Sequence, residues 1–114
     1  MSMNKTFIRD NTNIVLLLEN CGYCIASDEI TTGGKPVGYM YREQAEDDSD
    51  SGWRFFSGEE TQEYADDPEK FGIYDVNTIA NYDKDIIPYI YAPVGSEYIR
   101  MGNKFLYMGD TDNQ

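Results

Sequence analysis

Asp50-Ser51-Gly52-Trp53-Arg54-Phe55-Phe56-Ser57-Gly58 holds the single tryptophan of the chain and its densest aromatic cluster. On a strand, successive side chains point to opposite faces, so Trp53 and Phe55 share one face while Arg54 and Phe56 share the other. A strand with aromatic bulk on both faces belongs inside a sheet rather than at its edge, since each ring buries on the order of 150 to 250 Å². This stretch is therefore read as the central strand, and the rest of the chain is placed around it.

Upstream, Val37–Glu43 alternates, with Val37, Tyr39 and Tyr41 on one face and Gly38, Met40 and Arg42 on the other. Tyr23–Ser27 reads as a further strand, with Asp28–Thr32 as its short continuation before the Gly33-Gly34 turn; the segments suggest an antiparallel hairpin feeding the central strand. Ile14–Leu18 is an unbroken aliphatic run, either strand or short helix, expected in the core. Downstream, Ser57-Gly58-Glu59-Glu60 has the capping-box form and predicts a short helix from Glu59 to about Ala65. Asp75 caps a helix over Val76–Tyr82, whose Val76, Ile79 and Ala80 form one apolar stripe. Ile86–Tyr91 looks extended, with Pro88 and Pro93 excluding it from the sheet centre. Tyr98–Arg100 and Lys104–Met108 form a last hairpin around Gly102-Asn103. Residues 1–13 and 109–114 are polar and read as loose ends.

A chain of 114 residues supports one core and one domain. The expected class is α+β, a single small domain with a mostly antiparallel sheet and two or more short helices. The net charge is -12, and eleven carboxylates against one cation, Arg54, lie between Glu43 and Glu69. Such a field repels phosphate backbones and anionic membranes and attracts a basic partner. Neither a signal sequence nor a membrane span is legible, which points to the cytoplasm, where Cys21 and Cys24 stay reduced.

The chemistry-bearing patterns are weak. Cys21-Gly22-Tyr23-Cys24 has redox-dithiol spacing but is followed by a strand rather than a helix start, and with no histidine in the chain it offers only half a zinc site. The two thiols are read as ordinary, with Cys24 packed inside. The absence of histidine also removes the triad mechanisms, leaving arbitrary carboxylate pairs such as Glu43 and Asp75 for acid-base work. Asp47–Gly52 resembles the opening of a calcium loop, but Gly58 stands where the bidentate glutamate is required. No cofactor is expected. Ten tyrosines invite a recognition surface; Tyr39, Tyr41 and Tyr74 sit inside predicted elements and are assigned to packing.

Several blocks taken together resemble the immunity protein 33 family of bacterial polymorphic toxin systems, formerly a domain of unknown function. They are Cys24–Ser27, Gly38–Glu43, Asp50–Gly58, Gly72–Asp83, Ile86–Tyr89 and Ala92–Ser96, and they cover most of residues 22–97. The resemblance implies a small α+β protein that binds and blocks a toxin, and it carries no site residues with it. Combined with the charge, it predicts a non-enzymatic, stoichiometric inhibitor of a protein toxin with a basic surface, such as a nuclease, and no nucleic-acid or membrane partner. Glu46, Asp47, Asp48, Asp50, Glu59, Glu60 and Glu63 are the candidate partner-binding residues. The competing readings are an acidic cation-binding or scaffold protein and a carboxylate-dependent enzyme.

Overall fold

A computed structural model describes Phe7 and residues 14–110. Its elements in chain order are β1 (Tyr23–Ser27), α1 (Asp28–Thr31), β2 (Tyr39–Arg42), β3 (Asp50–Phe56), α2 (Gln62–Ala65), a 3-10 turn at Pro68–Lys70, β4 (Phe71–Asp75), α3 (Val76–Tyr82), a 3-10 helix at Lys84–Tyr89, β5 (Ser96–Met101) and β6 (Lys104–Asp110). The six strands make one sheet in the order β4-β1-β3-β2-β5-β6. All neighbours are antiparallel except β1 and β3. The class is α+β, with the aromatic strand β3 inside the sheet.

One face of that sheet is the core. Cys24, Ala26, Met40, Trp53 and Phe55 are fully buried on it, beneath Val76, Ile79 and Ala80 of α3, Ile30 of α1, and Ile86 and Ile90. Trp53 stacks on Phe55 with ring centroids 5.9 Å apart. Its indole N–H donates to the Ile90 carbonyl at 3.0 Å, which pins the segment after α3 onto the sheet. Burial pushes the Cys24 thiol far above the thiolate range, and both cysteines are free.

Local chemistry decided several elements against the sequence reading. Asp28–Thr31 turns into a helix instead of extending β1, because the Ser27 hydroxyl accepts the Glu29 N–H at 3.1 Å as an N-cap. Lys84–Tyr89 winds into a 3-10 helix instead of running extended, started by the Asp83 carboxylate on the Asp85 N–H at 3.1 Å. Val37 is not on the face of Tyr39 and Tyr41: it lies before β2 and points into the core. The run Ile14–Leu18 is neither strand nor helix. Two buried asparagines one turn apart on α3 hold its backbone instead. Asn77 Oδ1 accepts from the N–H groups of Leu17 and Leu18 at 2.6 and 2.9 Å, while Asn81 Oδ1 accepts from Val15 at 2.9 Å. Only Leu18 of the run is buried, and Val15 and Leu16 face solvent.

The Ser57 capping box forms without starting a helix. Glu60 accepts the Ser57 N–H at 2.8 Å and the Ser57 hydroxyl accepts the Glu59 N–H at 3.0 Å. Gly58, at φ +90°, turns the chain out of the helical path. The helix begins instead after Thr61, whose hydroxyl accepts the Tyr64 N–H at 3.1 Å. The Asp75-capped helix over Val76–Tyr82 forms where the sequence placed it, and the last hairpin forms with longer strands, β6 running on through Gly109 and Asp110 of the expected loose tail to pair with Glu97 and Ser96. β4, which the sequence reading did not assign, pairs with β1 at one sheet edge. The terminal stretches 1–6, 8–13 and 111–114 lie outside the described residues.

Trp53→Ala removes the largest buried side chain and the indole hydrogen bond together. The expected loss is roughly 3 to 5 kcal/mol in urea unfolding; a variant that melts like the parent would show that the core is not built around this ring.

Candidate interaction face

The second sheet face is built from the alternate residues. Arg54 and Phe56 of β3 stand beside Tyr41 and Tyr39 of β2, Tyr39 stands beside Ile99 of β5, and Ile99 beside Leu106 of β6. Across β1, Ile25 pairs with both Arg54 and Ile73 of β4. Tyr39, Tyr41, Phe56 and Phe71 are half-buried, and Ile73, Ile99 and Leu106 are exposed. Their rings form a connected array: Tyr41 stacks on Phe56 at 5.9 Å, Phe56 meets Phe71 edge-on at 5.6 Å, and Phe71 meets Tyr64 of α2 at 6.1 Å. Tyr39 and Tyr41 therefore serve this face rather than the interior. Burial, reinforced by the Glu97 carboxylate that accepts its hydroxyl at 2.6 Å, raises the Tyr39 phenol pKa.

Beneath this array sits a charged group that the sequence reading did not pair. Arg54 is 3% exposed. Its Nη1 and Nη2 donate to the two Asp50 oxygens at 3.0 and 2.8 Å, and its Nε donates to Glu43 Oε2 at 2.6 Å. A bidentate pair plus a third carboxylate is the arrangement that makes burial of a guanidinium tolerable. Asp50 also accepts the N–H groups of Glu46 and Gly52 at 2.9 and 2.8 Å. The Arg54 guanidinium, helped by those amides and opposed by burial, holds the Asp50 carboxyl well below the usual range. Gly52 makes the geometry accessible. At φ +88° it allows β3 to bulge against β1, and a Cβ there would stand 2.2 Å from the Glu43 carbonyl oxygen.

The seven candidate carboxylates separate into three kinds. Asp50 is a correction: its side chain is wholly buried on Arg54 and presents no charge to a partner. Glu46, Asp47 and Asp48 are exposed at the start of β3. Asp47 is also spent locally, accepting the Ser49 N–H at 2.8 Å and the Tyr23 hydroxyl at 3.2 Å. Glu59, Glu60 and Glu63 lie beyond the other end of β3, a strand length of about 20 Å away. Of these, Glu59 pairs with Lys35 at 2.8 Å. Burial opposes the charge on Glu60, but hydrogen bonds from Ser27 and from the backbone of Ser57 and Gly58 win and lower its pKa. Among the described residues, the carboxylates of Glu46, Asp48 and Glu63 take no hydrogen bond or ion pair. The acidic stretch is thus two rims at opposite ends of one apolar face, not a single band.

Other groupings do not assemble. Glu43 and Asp75 stand at the ends of β2 and β4, three strand spacings or about 14 Å apart, beyond the separation of a carboxylate pair working on one bond. Asp75 is engaged as the cap of α3, accepting the Asn77 N–H at 2.8 Å. Among the described residues, no group of three or more Cys, Asp or Glu side chains is placed to hold a metal ion. No helix among them is long and apolar enough to cross a membrane.

What the geometry offers is a surface that is apolar at the centre and acidic at the rims. The family model described as the immunity protein Imm33 domain matches residues 24–108, and the chain belongs to that family. The match runs from β1 into β6, so it includes the final hairpin that the block resemblance left out. No curated protein and no solved structure matches the chain.

Replacing Asp50 by Asn leaves Arg54 buried with one carboxylate, and should cost roughly 3 to 5 kcal/mol at neutral pH. Because the folded pKa of Asp50 is depressed, its contribution is complete above about pH 5 and fades as pH falls below about 3.9 toward the folded value. Urea unfolding at stepped pH should therefore show the gap between parent and variant narrowing in acid. A gap that stays constant would mean that the pair does not carry this stability.

Proposed function

We propose that this protein is an immunity protein that binds a cognate bacterial toxin in the cytoplasm as a stoichiometric, non-catalytic inhibitor, using its carboxylate rims to meet a basic toxin surface. The observation that carries the reading is membership of the Imm33 family together with exposed carboxylates that no internal cation neutralises. The described cations support it. Of the seven described cations, Arg54 and Arg100 are tied to carboxylates, Lys35 to Glu59 and Arg42 to the carbonyls of Ser51 and Ala92, which leaves three lysines, Lys70, Lys84 and Lys104, against the larger number of exposed carboxylates. Among the candidate residues, Glu46, Asp48 and Glu63 keep carboxylates without an internal partner among the described residues, with Asp47, Glu59 and Glu60 contributing behind them. Opposed potentials of this kind act mainly on association rate and partner choice. A nuclease is a suitable target, because its substrate groove must be positive to hold phosphate.

The test is affinity capture from the source organism at low and high salt, with the captured proteins identified by mass spectrometry. The expected result is a stoichiometric basic protein released by salt. The triple variant Glu46→Lys, Asp48→Lys and Glu63→Lys should melt normally yet associate at least about tenfold more slowly. A partner held equally by parent and variant at either salt would remove the rims from the binding mechanism.

A further inference from the structure

The open face carries a groove of about 580 Å³ lined by Ile25, Tyr41, Glu43, Phe56, Phe71 and Ile73, with Arg54 at its floor. Its size is within the range that receives small ligand groups. The walls are mainly apolar, and Ile73, 69% exposed at the mouth, has no cover among the described residues. Charge enters the groove at one place. Two carboxylates face one guanidinium in the Arg54 cluster, so it holds a surplus of one negative charge. Asp50 and Arg54 are buried, whereas the Glu43 side chain is 46% exposed, so the surplus emerges at Glu43. Arg54 engages Glu43 Oε2, and among the described residues Oε1 accepts no hydrogen bond.

Aromatic and aliphatic walls that end on an unshared carboxylate oxygen select a particular side chain. A neutral apolar group would fill the walls but cover Glu43 without a partner, at a desolvation cost. An acidic group would be repelled by Glu43 and by the net charge of -12. A guanidinium on an aliphatic stem satisfies both parts: the stem lies along Ile25 and Ile73, the planar head stacks on the ring of Tyr41, and an N–H reaches Glu43. We propose that this groove is the seat of an arginine side chain presented by the protein partner, an inference that rests on the toxin-binding reading and places its contact centre on the open sheet face between the two rims.

The test titrates the isotope-labelled protein with the end-capped tripeptide Gly-Arg-Gly, using the norleucine and glutamate analogues as controls, and follows backbone amide shifts by NMR. The expected result is saturable movement at Ile25, Arg54, Phe71 and Ile73 with the arginine peptide, at a Kd on the order of 1 mM. The norleucine analogue should bind at least about threefold more weakly, and Glu43→Gln should weaken the arginine peptide by a similar factor. Ile73→Ser, at an exposed wall position that folding does not need, should also reduce binding and provides the comparison if the Glu43 variant unfolds. Equal shifts with arginine and norleucine, movement confined to 44–49 and 59–63, no movement up to about 20 mM peptide, or an unchanged affinity in Ile73→Ser would each overturn the proposal. The titration uses no toxin. Its failure would remove the groove while leaving the immunity reading intact, and a failed capture beside a positive titration would do the reverse.

Discussion

The structure depends on burying one guanidinium inside a sheet. Arg54 lies within the parallel pairing, opposite Ile25 of β1, almost fully enclosed, and each of its donor nitrogens has a partner in Asp50, Glu43 or the Trp53 carbonyl. An unpaired charge there would cost several kcal/mol, so the surrounding chain is constrained to supply oxygens. Glu43 comes from the end of β2 and Asp50 from the start of β3. Satisfying Arg54 therefore closes the whole loop between them, and Asp50 extends the closure to the amides of Glu46 and Gly52. An ionic constraint thus organises a loop that has no apolar anchor of its own.

The same constraint divides the labour between the two sheet faces. Trp53 and Phe55 point into the core and recruit the helices, while Arg54 and Phe56 point the other way and support an aromatic layer that no helix larger than α2 covers. A face left open in this manner would ordinarily be an aggregation hazard. Here it is bordered by like charges at both ends of β3, which repel other copies of the chain.

Much of this was legible in the residues. Alternation along β3 gave its faces, Asp75 announced α3, and the Gly102-Asn103 turn announced the last hairpin, because each is a local signal read within a few residues. The failures were of two physical kinds. Short elements were decided by single caps, as at Ser27 and Asp83, where one side-chain oxygen outweighs a weak propensity. Long-range polar contacts were hidden altogether. Asn77 and Asn81 gather a segment about sixty residues away; Asp50, though only four residues from Arg54, looks like any other acid in its run until the strand's irregularity sets the two together. A spacing of four between Asp50 and Arg54 was the available clue, but on a regular strand it means only a shared face; the bulge at Gly52 brings the pair together. Tyr39 and Tyr41 read as packing because they sit inside a predicted element, although a phenol's polar tip also suits a half-open face.

The central claim is that Arg54 and Asp50 act as one buried unit on which the loop and the open face rest. The most direct measurement is a double-mutant cycle with Asp50→Asn, Arg54→Met and the double variant, read by urea unfolding at neutral pH. The account predicts a coupling of about 2 kcal/mol or more, with the double variant less damaged than the single effects imply. Single effects that add to within about 0.5 kcal/mol would contradict it, and the organising role would then pass from the ion pair to the packing around Trp53.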